Sequence, residues 1–261
     1  MTLLKHEIKR NKISLIIWTA IIAFMLAVCV LIYPEMSNQM NELSDMFADM
    51  GSFSAAFGMD KINFGEFIGF FGVECGNVLG LGGAFFAAFL GISAIAKEEK
   101  EQTAEFLLTH PISRVKIVAS KYFSLLLQIV ILNIVVVLVT LLCIAIIGEP
   151  IEAKTFILLF TAYFILQVEI ASICFGISAF ISRRGVGIGL GIGAFFYFLN
   201  IIANLTEDAK SLKYITPFAY TESADIIANG SIDMAYLSVG LILAALGIFA
   251  AFFKYTRKDI V

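Results

Sequence analysis

An all-α membrane domain of six transmembrane helices is what this sequence predicts, and three observations carry that prediction. The chain is 60% hydrophobic with a mean hydropathy of +0.93. Only 15% of its residues are charged. Its apolar residues fall into six runs of membrane length. A soluble domain is roughly 45–50% apolar and about 25% charged, so composition alone sets this chain in the membrane class. The formal net charge of −3 decides little, because membrane proteins sort charge by side rather than by sum.

The runs lie at 13–33, 69–96, 122–147, 155–181, 186–203 and 235–253. Each approaches or exceeds the roughly 20 residues a helix needs to cross the hydrocarbon core. The first follows basic residues but is 21 residues long and ends in Tyr33-Pro34-Glu35. It carries no small-residue cleavage pattern and reads as a retained span rather than a removed signal peptide. After it, Met36, Met40, Leu43, Phe47, Met50 and Phe57 recur at steps of three, four or seven, with Glu42, Asp45 and Asp49 on other faces. This is one face of a helix. It suits an external flap that touches an apolar substrate, or an interfacial helix that covers the span ends. The second run is longer than a span requires, so its start around 66–74 is expected at the surface. Between the fifth and sixth runs, segment 204–234 carries Glu207, Asp208, Glu222, Asp225 and Asp233. Pro217 and Gly230 divide it into short pieces.

Six spans place both termini on one side, and basic residues say which. Lys5, Lys9, Arg10 and Lys12 precede the first span. Lys97, Lys100, Arg114, Lys116 and Lys121 lie between the second and third. Arg183 and Arg184 separate the fourth from the fifth, and Lys254, Arg257 and Lys258 follow the sixth. Only Lys61, Lys154, Lys210 and Lys213 remain for the other side. By the positive-inside rule, both termini and the segment 97–114 are cytoplasmic.

Two carboxylates fall within the apolar runs. Glu169 is near the middle of the fourth, where a charge costs about 2.5–3.5 kcal/mol even on insertion scales. With no membrane cation to pair with it, Glu169 must face a polar cavity, pair with an Asn or Gln, or stay protonated. Glu74 lies nearer the outer end of the second run. Together they could line a path for a cationic or proton-coupled substrate, or they could be polar groups bonded between helices. In the fifth run, Gly185, Gly189 and Gly193 share a face at small-xxx-small spacing, with Gly187 and Gly191 beside them. Gly72, Gly76 and Gly80 do the same in the second. Such stripes let membrane helices approach closely.

Enzymatic chemistry finds no support. The alternating glycines sit in a membrane run rather than in a soluble βαβ unit, and no GxxxxGK[ST], GxSxG or GxGD pattern is present. The two histidines, His6 and His110, lie outside the spans, which removes an intramembrane metalloprotease and a multi-histidine metal site. Cys29, Cys75, Cys143 and Cys174 lie in apolar runs without CxxC spacing and read as small buried hydrophobes. Nothing points to nucleic acid.

The densest charge is KEEKEQTAEFLLTHPISR, residues 97–114. Glu98, Glu99 and Glu101 suit the start of a short helix, where negative charge meets the positive end of the dipole. Phe106, Leu107 and Leu108 form an apolar knob, and Pro111 ends the helix. Arg114, Lys116 and Lys121 lead back into the membrane. The pattern fits a docking surface for a soluble partner, and equally an amphipathic hairpin resting on headgroups.

These residues resemble the permease subunits of ABC-2 type ATP-binding cassette exporters. The family's hairpin between spans 2 and 3 reads as an acidic run, G-T-x-E-x-L-L, two residues, P-[IV]-S-R and a lysine. Thr103, Glu105, Leu107, Leu108, Pro111, Ile112, Ser113, Arg114 and Lys121 follow that order, with Gln102 in place of the usual glycine. Thr216-Pro217-Phe218-Ala219-Tyr220 before Gly230 is similar to the run ahead of the family's last span. Residues 3–10 are similar to its interfacial helix, placed here at 1–12.

The resemblance implies an ABC-2 (type V) exporter fold that forms a permease dimer, expected to be a homodimer, with two ABC ATPase subunits. The 97–114 segment would be the coupling helix seated on the ATPase. ATP and Mg²⁺ would belong to that partner, with no cofactor on this chain. Relatives export antimicrobial or amphipathic peptides, including phenol-soluble modulins, or lipid-linked compounds, drugs or sodium. The acidic outer segments, the Met/Phe face and 25 Phe suit a cationic amphipathic peptide leaving a bacterial cell. The alternative is a proton- or sodium-coupled transporter working through Glu169, or a lipid or drug exporter.

Overall fold

The computed structural model describes residues 2–49, 54, 62–63, 65–100, 113–181 and 185–257. Among these, every regular element is a helix. In chain order they are α1 (Thr2–Asp49), α2 (Phe67–Cys75), a π-helical stretch (Gly76–Leu81) and α3 (Gly82–Lys100). There follow α4 (Arg114–Ile147), α5 (Ala153–Ser178), α6 (Val186–Leu205), two 3₁₀ turns (Glu207–Tyr214 and Ala219–Thr221), α7 (Ser223–Asn229) and α8 (Met234–Arg257). Six stretches are long and apolar enough to cross a membrane: His6–Ser37, Phe67–Ala96, Arg114–Ile147, Ala153–Ser178, Val186–Leu205 and Met234–Arg257.

The boundaries expected at residues 12 and 34 are not helix boundaries. α1 runs unbroken for 48 residues with Pro34 inside it, roughly 70 Å of helix against a ~30 Å hydrocarbon core. A proline in a long membrane helix can be carried by the turns on either side of it. Span 2 starts at Phe67 and passes through the π stretch without interruption. Span 3 starts at Arg114, two turns before the apolar run, because Ser113 caps it by accepting from the Lys116 amide at 3.4 Å. Gly148 ends that helix in the left-handed region at φ 75°. Asp233 opens α8, its Oδ1 accepting from Ala235 N at 2.8 Å, and Lys254 and Arg257 close it where cations suit the dipole.

α5 is the hub. It packs most extensively on α3 and α8, while α1 lies along α4 and α6 rests on α3. Spans 2 and 4 bury most of their apolar windows (67% and 61%), but spans 5 and 6 bury only 22%, so those two are peripheral. Their outward residues, including Phe195, Phe198, Ile202, Leu246 and Phe249, are the lipid-class surface of the bundle. Phe67, Phe70, Phe71, Phe156 and Phe160 instead pack on one another and on Tyr33 in the core. Much of the phenylalanine that suited an apolar cargo in the sequence is therefore internal packing.

Candidate functional site

One end of the bundle gathers the N-terminal helix, the base of the 97–114 hairpin and the end of α8. Lys121 is 2% exposed on α4. Its Nζ donates to Glu7 Oε1 of α1 at 3.1 Å and to the Ala94 carbonyl of α3 at 2.8 Å. Glu7 Oε2 also accepts from Arg10 at 3.0 Å. One buried ammonium thus ties α3 and α4, the helices on either side of segment 101–112, to α1. Arg114, the first residue of α4, donates from Nη1 to the Thr256 carbonyl of α8 at 3.4 Å. The backbone of Glu98 and Glu99 continues α3, while Glu101, Thr103, Glu105, Phe106, Leu107, Leu108 and Pro111 lie outside the described residues.

Inside the bundle, Glu169 is fully buried on α5. Its Oε2 accepts from the Tyr220 hydroxyl at 2.9 Å, and Gly240 of α8 lies directly against the carboxylate. A Cβ at Gly240 would collide with that group. The amide pair within the membrane is a different one: Asn133 of α4 donates to Gln167 Oε1 at 2.7 Å. Glu74 is half-buried beside α1, where Cys29 Sγ donates to its Oε2 at 3.5 Å. Among the described residues Glu74 and Glu169 share no partner.

The glycine stripes meet specific neighbours. Gly185 and Gly189 lie against Ile92, and Gly193 against Phe85; a Cβ at Gly189 would come within 2.9 Å of the Ala88 carbonyl. Gly187 and Gly191 have nothing within 4 Å of that position. Gly76 and Gly80 pack on Tyr163, and Gly72 on Ser223 and Ile227. At Gly176 and Gly247, α5 and α8 pack so closely that a Cβ on either glycine would run into the other helix's backbone.

At the opposite end from the hairpin is a polar cavity of about 60 Å³, lined from span 2 (Gly76, Asn77), span 4 (Tyr163), span 5 (Tyr197, Asn200) and the segment bearing Glu222. Glu222 Oε1 accepts from Asn200 Nδ2 at 2.5 Å and from Asn204 Nδ2 at 2.7 Å. Desolvation raises the Glu222 carboxyl above its ordinary range; the two amides and Lys213 oppose that, and Asp225 adds to it.

The profile of the ABC-2 family transporter proteins matches residues 1–260. The chain belongs to that family. Comparison with curated proteins finds no match.

As an ABC-2 chain with six membrane-capable helices, it is a multi-pass membrane protein and a permease component, of a kind that works with an ABC ATPase. Several decisive groups of this ABC-2 permease were not singled out in its sequence. Glu7 sits in an ordinary basic-amphipathic run, and only folding brings it to Lys121, 114 positions away. Tyr220 was visible inside the TPFAY run, but not as the partner of Glu169. Glu222 looked like one acidic loop residue among five, and the signal that could have raised it is the Asn200/Asn204 pair one turn apart on span 5.

Proposed function

We propose that this ABC-2 permease is the membrane half of an ATP-driven exporter that moves cationic amphipathic peptides out of a bacterial cell. A separate ATPase hydrolyses ATP with Mg²⁺ and seats on the 97–114 coupling helix; two permeases and two ATPases form the working unit. The whole-chain family match carries the permease role in this reading, and the cargo, the ATPase seat and the copy number extend it. It is supported by the hairpin motif, by basic residues that put both termini on the cytoplasmic side, and by the buried Glu7–Lys121–Ala94 junction. A push on the coupling helix would pass through Lys121 into α1 and α3 together, because one ammonium bonds both. The thinly covered spans 5 and 6 leave surface for a second permease and for lipid. Met36 is half-buried against the core and the side chains of Met40, Leu43, Phe47, Met50 and Phe57 lie outside the described residues, so the acidic 204–234 segment is what suits a cationic cargo.

An ion-coupled transporter working through Glu169 has less support, since that carboxylate is sealed between Tyr220 and Gly240 and does not line the polar cavity. The deciding experiment reconstitutes permease and ATPase in liposomes and measures ATP hydrolysis against cationic peptides, lipids, drugs and ions. Stimulation by the peptides is the expected result. Stimulation by lipid or ion alone reassigns the cargo, and indifference to all of them makes the chain an anchor or sensor subunit.

A further inference from the structure

We propose that the cavity beside Glu222 binds a small monovalent cation, either a free alkali ion or a primary ammonium group. The argument starts from what faces the space. Asn200 and Asn204 hold one oxygen of the Glu222 carboxylate with their amide N–H groups, which fixes the group at the cavity wall. Asn200 is 6% exposed, and with its amide nitrogen committed to Glu222 its Oδ1 has no hydrogen-bond partner. Tyr163, 2% exposed, also lines the cavity, and among the described residues its buried hydroxyl has no partner either. A buried polar atom left unpaired loses its hydration with nothing in return. Two residues that each bear such an atom line one polar space together with a carboxylate, which points to a small resident packed among them.

The donor set selects its charge. Glu222 is the one carboxylate among the lining residues, and the rest of the polar lining is neutral amide and hydroxyl. Lys213 and Asp225 act on Glu222 from beyond the lining in opposite senses, so the site balances a single positive charge. A divalent ion such as calcium takes 6–8 oxygens, usually from several carboxylates, and among the described residues no group of three or more His, Cys, Asp or Glu comes together. The size selects its class. About 60 Å³ holds an ion with a water or an ammonium head, far below the roughly 300–1,000 Å³ of an organic ligand pocket. Gly76 keeps the space open: a Cβ there would stand 3.0 Å from the Tyr163 hydroxyl. Gly76 also opens the π stretch that carries Asn77 to the cavity, a distortion that often marks functional sites.

The test uses the full chain in lipid nanodiscs and reads Tm against NaCl, KCl or methylammonium chloride, with choline chloride holding ionic strength constant. A ligand that binds the folded state raises Tm saturably. The expected result is such a rise with at least one small cation and none with choline. A response to Na⁺ or K⁺ assigns a free ion, and a response to methylammonium alone assigns an ammonium group. Glu222→Gln keeps an acceptor for both asparagines, and should weaken the midpoint by at least about tenfold. Tyr163→Phe removes a hydroxyl without a partner among the described residues, so the fold should survive while the response shrinks; Gly76→Ala should shrink it by filling the space. Curves that coincide with choline for all three cations overturn the proposal. So does an undiminished response in both Tyr163→Phe and Gly76→Ala, whether or not Glu222→Gln folds.

Discussion

Glu169 and Tyr220 are joined by a single hydrogen bond in a place where water does not reach. Tyr220→Phe leaves the Glu169 carboxyl without that partner and should lower stability by about 1–3 kcal/mol in thermal unfolding. Glu169→Gln keeps an acceptor for the tyrosine and should be far milder; equal losses in the two variants would mean the bond is not what matters. Glu222 gives a pH expectation. Its carboxyl is raised in the folded chain, so the native state holds a proton that the unfolded chain releases sooner. The groups facing it are Asn200, Asn204, Lys213, Asp225, Tyr163 and Tyr197. Its contribution to stability is therefore complete below the ordinary carboxylate range and is lost as pH rises through the raised folded value. Unfolding followed against pH in choline should show that decline for the native chain and not for Glu222→Gln.

Between elements, Glu7 and Lys121 form a buried ion pair, their side chains 6% and 1% exposed. Removing one member strands a buried charge, so Glu7→Ala should cost about 3–5 kcal/mol, whereas Glu7→Leu with Lys121→Met should recover much of it. A double-mutant cycle on thermal stability measures this, and additive losses would refute the coupling. The glycine stripe of α6 offers a paired test. Gly189→Ala forces a methyl onto the Ala88 carbonyl and should cost about 1–3 kcal/mol, while Gly187→Ala meets nothing and should be neutral. The helices themselves were legible because hydropathy reports burial in lipid directly, and Ser113, Gly148 and Gly230 mark ends that depend only on local geometry. The length of α1 was not legible: Pro34 and the preceding charges look like breaks in a sequence, but nothing in the flanking turns stops the helix. Partners such as Glu7 for Lys121, or Tyr220 for Glu169, depend on which helices become neighbours, and no local pattern encodes that.

At the scale of the whole molecule, the basic end and the polar cavity are separate workplaces joined by spans 2 and 4. The described residues that flank segment 101–112 are those where Lys121 binds α1 and α3 and where Arg114 meets α8, so a push passed to them reaches most of the bundle. Family membership follows from the whole-chain match, and the central functional claim is that an ATPase grips this hairpin. The most direct measurement is co-purification of the permease with its ATPase, with cargo-stimulated ATP hydrolysis, after Phe106, Leu107 and Leu108 are changed to serine. Membrane insertion and Tm of the permease should be unchanged, while the ATPase no longer co-elutes or no longer responds to cargo. A variant that still binds the ATPase and still couples hydrolysis to cargo would contradict the account.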